Sequence, residues 1–502
     1  MKNILVLGAG KSSTVLIDFL IRHAGIDDLH IHVADLNMGI CQEKVGLSSN
    51  ATAHRIVPGD HTHTQLLINA SDLVISMLPP PFHGDIARDC LQAGRHFLNA
   101  SYLSDELAAL DTDVRNRGLT FMCEMGLDPG IDHMSAMQLI DEIHAEGGHI
   151  TSFRSHCGGL IAPECDDNPW HYKITWNPRN VVMAGKDGAV YRENKGVRHV
   201  AYESLFDPYQ IVEIPGLGPY AWYPNRDSLS YIPKYGLEGV ETFVRTTLRH
   251  PDFCFGWRNI IQLALTDDHV IYDTNGMTVS SFFQIHFDRF GFSDWLQRTV
   301  ADSFLHTSTH LQDLIRLLEA DSLRSGHDRD EDRIMLVDEA GGLRDWTKSG
   351  AHQAATKGIA HRMHEAKLAL SQLFFLGLDS TESIDQGQRS AAWILQWIME
   401  RKLALSETDR DMIVMMHEID YTIGSHSFHS TSSLVLRGED PRRTAMARTV
   451  GLPLGIAARN ILDGILTFPG VHIPVTRNIY VPLLKGLAHE GITFQHTLQQ
   501  LS

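Results

Sequence analysis

The sequence predicts an α/β fold built on a doubly wound parallel sheet, and three observations near the N-terminus support this prediction. Short apolar runs alternate with amphipathic stretches over the first hundred residues, which is typical of βαβ units. The first run, Asn3–Leu7, passes through a glycine-containing turn into a helical pattern over Thr14–Ile21. The second run, Leu29–Ala34, ends at the acidic residue Asp35. Together these features indicate a dinucleotide-binding sheet of the Rossmann type.

The rest of the parallel sheet is predicted from the same alternation. A helix is expected over Gly84–Ala93, and the prolines at Pro79–Pro81 prevent a helix from continuing directly out of the strand before them. The further strands expected are Ala53–Val57, Leu73–Leu78, His96–Asn99 and Thr120–Cys123.

After about residue 130 the pattern changes to that of a mixed α+β domain followed by a helical region. Residues 152–287 are rich in glycine, proline and aromatic residues, and β-type runs at His269–Asp273 and Val279–Phe287 favour an antiparallel sheet. Residues 295–399 have helical periodicity, interrupted by a charged stretch, His327–Arg333, that we expect to be a solvated loop. The remaining elements expected are strands at Met412–Tyr421 and Thr431–Leu436 and helices at Ala445–Leu466 and Tyr480–Ala488.

The charge and composition exclude several classes of protein. Among 502 residues, 61 acidic and 43 basic side chains give a net charge of −18, which argues against nucleic-acid binding. The longest apolar runs are far shorter than the roughly 18 residues that a membrane helix needs. The six cysteines form no CxxC pair and no dense framework, as expected for a protein of the reducing cytoplasm.

The 29 histidines raise the question of metal binding. With so many histidines, closely spaced pairs arise by chance, and none has a cysteine or carboxylate at zinc-site spacing. We therefore expect surface histidines and no metal site. The pairs considered are His61/His63, His361/His364 and His426/His429.

The turn after the first strand has the spacing Gly8-x-Gly10-x-x-Ser13. Gly8 permits the tight turn, and Gly10 lets the backbone approach a pyrophosphate at the N-terminus of the helix. Ser13 is a small residue at the position where the helix packs on the strand. Because the motif follows a strand and opens a helix, it favours dinucleotide binding over an ordinary tight turn.

Asp35, 22 residues after Ser13, bears on the choice of cofactor. A carboxylate at the end of the second strand accepts hydrogen bonds from ribose hydroxyls and repels a 2′-phosphate, so NAD is favoured over NADP. Arg55 and Lys44 could contact a phosphate, but neither is expected at the strand end. The alternative for Asp35 is a capping role unrelated to a cofactor.

Several longer motifs occur in order along the chain. They are Asn99–Tyr102, Gly126–His133, Cys157–Leu160, Trp176–Arg179, Tyr223–Ser228, Thr247–Arg249, Asp409–Met412, His417-Glu418 and Thr449–Pro453. Together they strongly resemble the motifs of the saccharopine reductases, the glutamate-forming saccharopine dehydrogenases. The resemblance covers nearly the whole chain.

This resemblance implies an NAD- or NADP-dependent oxidoreductase that acts on an amino-acid substrate. The cofactor residues it implies are Gly8, Gly10, Lys11, Ser12, Ser13, Thr14, Asp35, Asp60, Met77, Ala100, Ser101, Leu127, Pro129 and Asn177. The substrate residues it implies are Ser101, Tyr102, Asp128, Arg226, Thr247, Leu248 and Arg249. Tyr102, Asp128 and Cys157 match the polar side chains expected to handle protons.

The resemblance also implies an arrangement of domains. Residues 1–130 and 440–502 would form the dinucleotide-binding domain, so that the C-terminus completes its sheet. Residues 131–295 and 410–439 would form a mixed α+β domain for substrate binding and dimerisation, and residues 296–409 a helical insert. A homodimer formed through the middle sheet is expected on the same ground.

The chemistry of such a substrate agrees with these residues. Saccharopine carries three carboxylates, and Arg226 and Arg249 provide guanidinium groups for bidentate pairs with them. Hydride transfer next to a secondary amine requires the amine to lose a proton, which Tyr102 or Asp128 can relay.

Structural interpretations of the same residues stay open. Arg226 can form an ion pair with Asp227, Asp128 can serve the turn before Pro129, and Tyr102 can be a packed aromatic ring. Cys157 can be a small buried apolar residue.

Departures from the family pattern leave the substrate open. Ile161 stands where proline is common, Asn177 and Asn180 replace a serine and a glycine, and residues 310–346 resemble an insert. Saccharopine is the leading hypothesis, and another carboxylated secondary amine, of the polyamine or opine type, is the second. A non-catalytic NAD-binding scaffold is the alternative from a different class.

Overall fold

The computed structural model describes residues 1–57, 60–292, 333–337, 343–347 and 364–501. Contacts between Cα atoms divide the chain into two compact units. The first unit comprises Met1–Asp167, His171–Cys254 and Leu403–Ser502, and the second comprises Asn168–Trp170 and Phe255–Lys402.

The first unit contains a seven-stranded parallel sheet. Its strands are β1 (Lys2–Leu7), β2 (Leu29–Asp35), β3 (Ala51–Arg55), β4 (Leu73–Ser76), β5 (His96–Asn99), β6 (Thr120–Met122) and, from the C-terminal part, β20 (Gly470–His472). They lie in the order β3-β2-β1-β4-β5-β6-β20. The strand order reverses between β1 and β4, which is where doubly wound sheets bind their ligands.

Helices cover both faces of this sheet, because successive residues of β1 point to opposite layers. Ile4 and Val6 belong to one core, whereas Leu5 and Leu7 belong to the other. The helices of the first layer are α1 (Thr14–Asp27), α2 (Met38–Val45), α7 (Ile131–Ala145), α12 (Ala445–Leu462) and α13 (Arg477–His489). Those of the second layer are α3 (His61–Asn69), α4 (His83–Ala93), α5 (Asp105–Ala108) and α6 (Asp111–Asn116).

The C-terminal part of the chain completes the parallel sheet, as predicted. Strand β20 pairs with β6, and helix α12 packs closely against α1. A Cβ at Gly451 would lie 2.8 Å from the Leu16 nitrogen, and a Cβ at Gly455 would lie 2.6 Å from the Phe19 ring. Small residues on α12 therefore let the two helices approach each other.

The predicted elements of the sheet are confirmed with shifts at their ends. The third strand spans Ala51–Arg55 instead of Ala53–Val57, and the fourth ends at Ser76. Because β3 pairs with β2 in a register that aligns Arg55 with Asp35, Arg55 is the last residue of its strand. The expectation that Arg55 lies away from the strand end is therefore wrong.

The second sheet of the first unit has ten strands and is mixed. They are β7 (His149–Ile161), β8 (Ala189–Glu193), β9 (Gly196–Val200), β10 (Gln210–Ile214), β11 (Gly218–Pro224), β12 (Arg226–Asp227), β13 (Thr242–Arg249), β18 (Asp411–Ile423), β19 (His426–Arg437) and β21 (Gln495–Leu501). Most of them follow the path β10-β11-β13-β7-β18-β19-β21, in which only β13 and β7 are parallel. The two C-terminal strands expected from the sequence are confirmed as β18 and β19.

The second unit is largely helical where it is described. Helix α9 (Pro251–Gln262) begins in the first unit and ends in the second. The second unit also contains β14 (Ile271–Asp273), α10 (Val279–Phe290), β15 (Arg333–Val337), β16 (Leu343–Thr347), helical residues 364–375, β17 (Gln388–Ser390) and α11 (Ala391–Lys402). The expected solvated loop at 327–333 lies outside the described residues, except for its last position.

The β-type run expected at Val279–Phe287 is wrong, because this segment is helix α10. Its buried residues, among them Phe282, Phe283 and His286, recur at helical spacing. Thr278 caps the helix by accepting the Ser281 N–H at 3.2 Å.

The predicted boundaries of three domains stay a prediction, since both sheets of strands fall in the first compact unit. Among the described helices, none is long and apolar enough to cross a bilayer.

We predict that Gly451→Ala destabilises the chain by about 1–3 kcal/mol, because the added methyl group overpacks the contact between α12 and α1. Gly25→Ala is the matched control, since Gly25 lies in α1 with no atom closer than 3.7 Å to its Cβ position. The control should stabilise the helix by about 0.5–1 kcal/mol. Urea midpoints measure both changes, and equal effects would contradict this description of the packing.

Candidate active site

The glycine turn between β1 and α1 is shaped to accept a ligand. Gly8 has a φ of +101°, and a Cβ there would lie 2.9 Å from the carbonyl carbon of Met77, so no side chain fits. At Gly10, in contrast, no atom lies within 4 Å of a Cβ position. Gly10 is exposed and leads through the short turn Lys11–Ser13 into α1. This open space at a helix N-terminus fits the pyrophosphate of a dinucleotide.

Side chains within the turn hold its shape. Ser13 Oγ donates to the Gly10 carbonyl at 2.9 Å, and Thr14 Oγ1 donates to the Lys11 carbonyl at 3.0 Å. Lys11 itself is exposed and Ser12 is half-buried. Lys44 reaches from α2 and donates to Ser13 Oγ at 3.1 Å. Burial lowers the pKa of Lys44 to about 8.

Asp35 lies beside the glycine turn at the carboxyl edge of the parallel sheet. Its Oδ2 accepts the Ala9 N–H at 2.7 Å, and its Oδ1 accepts the Asn37 N–H at 2.9 Å. These two bonds fix the carboxylate against the ends of β1 and β2. The exposed Arg55 is aligned with Asp35 on β3. The edge therefore carries one acidic and one basic side chain.

Other predicted cofactor residues follow neighbouring strands at the same edge. Met77 comes directly after β4, and Ala100 and Ser101 come directly after β5. Asp60 is exposed and caps α3 by accepting the His63 N–H at 3.2 Å. These positions agree with a ligand lying across the carboxyl ends of the strands.

Ser101 ends a chain of polar side chains that the sequence did not reveal. Its Oγ lies 2.9 Å from His83 Nε2, and His83 Nδ1 lies 2.9 Å from Ser76 Oγ. Burial lowers the pKa of His83 to about 4, so the ring is neutral at physiological pH. His83 therefore orients Ser101 through hydrogen bonds, without adding charge.

The predicted catalytic side chains meet at a buried arginine. Arg245 donates to Asp128 Oδ1 at 2.5 Å and to Asp132 Oδ2 at 2.8 Å. The Tyr102 hydroxyl donates to the same Asp128 oxygen at 3.4 Å. Arg245 is only 2% exposed, and its guanidinium lies 4.4 Å from the centre of the Tyr231 ring. One cation thus holds two carboxylates and two aromatic rings in place.

The two carboxylates have different proton affinities. Burial raises the pKa of Asp128, and the attraction of Arg245 limits the rise. For Asp132, burial also favours the neutral form, but His133 and Arg245 outweigh it and lower the pKa. Burial, followed by the Asp128 charge, raises the pKa of Tyr102. Asp132 is therefore the ionised partner of Arg245, and Asp128 is the carboxylate suited to exchange a proton.

Asp128 projects from a tight loop between β6 and α7. A Cβ at Gly130, where φ is +147°, would lie 2.4 Å from the Gly126 nitrogen. The Gly126 N–H donates to the Pro129 carbonyl at 2.9 Å. The buried Leu127 accepts the Asp132 N–H at 3.1 Å. These close backbone contacts within the loop fix the direction in which the Asp128 side chain points.

A second cluster of buried side chains, around Glu124 and His133, contacts the cluster around Arg245. Glu124 lies 2.8 Å from His133 Nε2 and accepts the Tyr231 hydroxyl at 3.1 Å. His133 Nδ1 lies 2.6 Å from the Tyr235 hydroxyl. Tyr231 thus connects Glu124 with Arg245.

Two predicted substrate arginines lie near this centre. The exposed Arg226 guanidinium lies 5.3 Å from the centre of the Tyr102 ring. Arg249 is buried, and its guanidinium lies 5.1 Å from the Tyr172 ring and 5.5 Å from the Phe253 ring. Arg249 Nη1 donates to the Leu248 carbonyl at 2.8 Å, whereas within the described part of the chain its Nε has no hydrogen-bond partner.

The alternation of β13 decides which of its residues reach the site. Arg245, Thr247 and Arg249 share one face of the strand. Leu248 points to the other face, where it packs in an apolar core with Val244. The side chain of Leu248 therefore lies away from the proposed substrate, contrary to the prediction that it contacts it.

Cys157 and Asn177 differ in how they relate to the site. Cys157 lies on β7 beside Thr247, and burial raises the pKa of its thiol well above the usual value. It is therefore a poor proton acceptor at neutral pH.

Asn177 is exposed and accepts the Arg179 N–H at 3.0 Å as the cap of α8 (Pro178–Val182). This contact is local and does not bring Asn177 to the other cofactor residues.

Sequence reasoning missed Arg245 and the partners around it. A signal was present, since Arg245 precedes Thr247 and Arg249 at a spacing of two residues in a predicted strand region. Asp132 and His133 were within a quoted motif, but only the fold shows that they face Arg245 and Glu124.

Comparison with known proteins matches the chain to a family. The saccharopine dehydrogenase NADP binding domain matches residues 4–122, and the saccharopine dehydrogenase C-terminal domain matches residues 126–492. The chain belongs to the saccharopine dehydrogenase family. The predicted family, fold class and class of enzyme, an NAD(P)-dependent oxidoreductase acting on CH–NH groups, are confirmed.

Relatives within the family extend over the whole chain. The saccharopine dehydrogenase (NADP(+), L-glutamate-forming) of Saccharomyces cerevisiae is 30% identical over 97% of this chain and 96% of its own length. The alpha-aminoadipic semialdehyde synthase of Arabidopsis thaliana is 29% identical over 97% of this chain, which spans only 44% of that relative. The apo saccharopine dehydrogenase (L-Glu forming) structure from Saccharomyces cerevisiae has a TM-score of 0.77, 26% identity and full coverage of both chains.

We predict that Arg245→Met destabilises the chain at pH 7 by about 3–5 kcal/mol, because it leaves two buried carboxylates without their cation. In this variant the folded-state pKa values of Asp128 and Asp132 rise above those of the unfolded chain. Folding then takes up protons, so the loss of stability should shrink between pH 7 and pH 5.

Urea midpoints at both pH values measure this effect. The exposed Arg226→Met is the control and should change stability by no more than about 0.5 kcal/mol. A loss of stability for Arg245→Met that is small, or that does not depend on pH, would show that the ion pairs of Arg245 with Asp128 and Asp132 do not stabilise the fold as described.

Proposed function

We propose that this chain interconverts saccharopine with glutamate and the aldehyde allysine, by hydride transfer between NAD(P) and the C–N bond of saccharopine. The observation that carries the proposal is the buried contact of Asp128 with Tyr102 and Arg245 near the carboxyl edge of the parallel sheet. The names of the full-length yeast relatives, which are saccharopine dehydrogenases, support the same substrate.

The charge of the site supports a substrate with several carboxylates. The chain has a net charge of −18, yet the Arg226 guanidinium lies 5.3 Å from the centre of the Tyr102 ring, and Arg249 shares the strand face of Arg245. Each guanidinium can form two parallel hydrogen bonds with a carboxylate. Aromatic rings hold Arg249 in position, which lowers the entropy lost when a carboxylate binds.

The residues that would hold the dinucleotide are those of the carboxyl edge. Gly8 and Gly10 would make room for the pyrophosphate, Asp35 would accept hydrogen bonds from the ribose, and Ser101 would contact the nicotinamide end. The chemistry that the bound dinucleotide supplies is acceptance of the hydride.

The chain itself handles the protons. In the oxidative direction, the Asp128 carboxylate takes a proton from the secondary amine of saccharopine, directly or through the Tyr102 hydroxyl. Departure of the hydride from the adjacent carbon leaves an imine, to which water adds. Asp128 or Tyr102 then returns a proton to the leaving nitrogen as the C–N bond breaks, which releases glutamate and the aldehyde. Burial raises the pKa of Asp128 and the neighbouring Asp132 charge adds to the rise, which favours Asp128 as the group that exchanges a proton.

Within this function, we propose NAD as the preferred cofactor. The Asp35 carboxylate is fixed by two backbone N–H groups, so it cannot easily turn away from a 2′-phosphate. The opposing observations are the NADP binding domain that matches residues 4–122 and NADP(+) in the names of the yeast relatives, and Arg55 is a cation that could support NADP.

Two further expectations belong to the proposal. A homodimer is supported by the exposed edge strand β21, in which Leu498 is 63% exposed. A cytoplasmic location is supported by six cysteines that form no disulfide. Light scattering of the purified chain measures the oligomeric state.

We predict that Asp128→Asn lowers kcat/KM for saccharopine oxidation by about 10²–10⁴-fold, because the amide cannot accept the amine proton. Tyr102→Phe should lose less, since Asp128 remains. In the wild-type chain the acid limb of the pH profile should lie above the ordinary carboxyl pKa, as the raised pKa of Asp128 requires, and Asp128→Asn should abolish that limb.

NADH absorbance follows the reaction, with a panel of other carboxylated secondary amines in parallel. Asp113→Asn, an exposed position on α6, is the matched control and should leave kcat/KM unchanged. No turnover of saccharopine in either direction with either cofactor would overturn the proposed function, and turnover of another amine alone would reassign the substrate.

We predict that Asp35→Ser lowers the ratio of kcat/KM for NAD over NADP by at least about tenfold, which corresponds to about 1.4 kcal/mol. The reason is the loss of repulsion toward the 2′-phosphate. Asp28→Asn is the control, because Asp28 is an exposed aspartate at the opposite end of β2 with a φ of +52° that asparagine tolerates. A wild-type chain that prefers NADP would contradict the cofactor proposal.

A further inference from the structure

Two histidines that are far apart in sequence stack on each other in the first unit. The rings of His171 and His250 have centroids 3.8 Å apart at an interplanar angle of 26°. Two carboxylates adjoin them. Asp166 Oδ2 lies 2.6 Å from His171 Nδ1, and Asp252 Oδ2 lies 3.3 Å from His171 Nε2. All four side chains are partly exposed, so a small ion can reach them from solvent.

The geometry of this cluster is close to that of a three-ligand metal site. One ligand atom each from His171, His250 and Asp252 lies within 4.8 Å of the others. Zinc-class ions bind imidazole nitrogen and carboxylate oxygen at about 2.0–2.2 Å, which puts the ligand atoms about 3.3–3.6 Å apart. The 3.3 Å separation between His171 Nε2 and Asp252 Oδ2 already meets this spacing. His250 Nδ1 lies 4.0 Å from the same oxygen and accepts the Asp252 N–H at 3.2 Å, so a bound ion would replace this hydrogen bond and require a shift of under about 1 Å.

Asp166 supplies a second, independent feature of a metal site. It engages Nδ1 of His171, which leaves Nε2 as the nitrogen that faces Asp252. A carboxylate that holds the far nitrogen of a histidine in this way is a common partner of metal ligands.

The backbone of His171 is also unusual. Its φ is +47°, a conformation that residues other than glycine adopt uncommonly, although asparagine, aspartate and histidine adopt it more often than the others. Strained residues of this kind concentrate at functional sites.

We propose that His171, His250 and Asp252 bind a divalent transition-metal ion of the zinc class, with Asp166 orienting His171. A carboxylate together with imidazoles suits Zn²⁺, Co²⁺ or Ni²⁺ more than Ca²⁺ or Mg²⁺. The expectation from the sequence, no metal site, considered only histidine pairs close together in the chain.

The site adjoins Arg249 through its chain neighbours. His171 precedes Tyr172, His250 follows Arg249, and Asp252 precedes Phe253, while Tyr172 and Phe253 are the rings that hold the Arg249 guanidinium. A bound ion would therefore tie together the segments that position Arg249. We therefore expect a bound metal ion to change the KM for saccharopine. This expected effect rests on the proposed function, whereas metal binding itself does not.

The test is a titration of the untagged, chelator-treated full chain with Co²⁺, followed by the visible absorption of the ion, and with Zn²⁺ in a calorimeter. The titration is run at pH 8, because hydrogen bonds to Asp166 and Asp252 raise the pKa of His171 to about 9 and protons compete with the ion. We expect one saturable site per chain, with tetrahedral Co²⁺ absorption.

Three variants decide the assignment. His171→Asn, which suits the backbone conformation, and Asp252→Asn should each weaken binding by at least about tenfold. His54→Gln is the control, because His54 Nε2 lies 3.0 Å from His32 Nδ1 in another pair of touching histidines. Circular dichroism without metal verifies that each variant is folded.

The proposal is overturned if the wild-type chain shows no saturable binding, or if His171→Asn and Asp252→Asn bind as tightly as His54→Gln. A metal-dependent KM in the wild-type chain that is absent from His171→Asn supports the coupling to Arg249. If saccharopine is not turned over at all, the metal titration still decides the site, so the two proposals fail separately.

Discussion

The site depends on the bonds that one buried cation, Arg245, makes with Asp128 and Asp132. The three residues come from strand β13, from the loop after β6 and from the start of α7, so their charges join the mixed sheet to the parallel sheet within the first unit. Charges taken out of water are stable only when they are paired and hydrogen-bonded. The ion pairs of Arg245 therefore connect the two sheets and also limit the rise in the pKa of Asp128 that burial causes, so stability and chemistry are linked at this point.

Each remaining part of the site has its position set by an edge or a face of a sheet. The turn at Gly8, the carboxylate of Asp35 and the polar chain ending at Ser101 all follow strands of the parallel sheet, where ligands of doubly wound folds bind. On the other side, the alternation along β13 directs Arg249 toward the same centre and Leu248 away from it. In the proposed function, the dinucleotide would reach Asp128 from the parallel sheet and the amino-acid substrate would reach it from the mixed sheet.

The sequence was most informative where a local rule determines structure. Periodicity and the glycine turn predicted the parallel sheet, and Asp35 was expected at a strand end because a polar residue after an apolar run marks such an end. Periodicity failed at Val279–Phe287, where the apolar residues also fit helical spacing, and the helix forms. The partners of Arg245 and the His171/His250 pair could not be found in this way, since pairing between distant strands and loops brings these residues together. Leu248 was misassigned because a matching motif does not say which face of a strand a residue occupies.

The most direct test of the account is a crystal structure of the chain with NAD and saccharopine bound. The proposed mechanism predicts that the secondary amine lies within about 3.2 Å of the Asp128 carboxylate or the Tyr102 hydroxyl, the range for proton transfer. It also predicts substrate carboxylates on Arg226 and Arg249, and ribose hydroxyls on Asp35. A substrate whose amine lies far from both Asp128 and Tyr102, or whose carboxylates contact neither arginine, would contradict it.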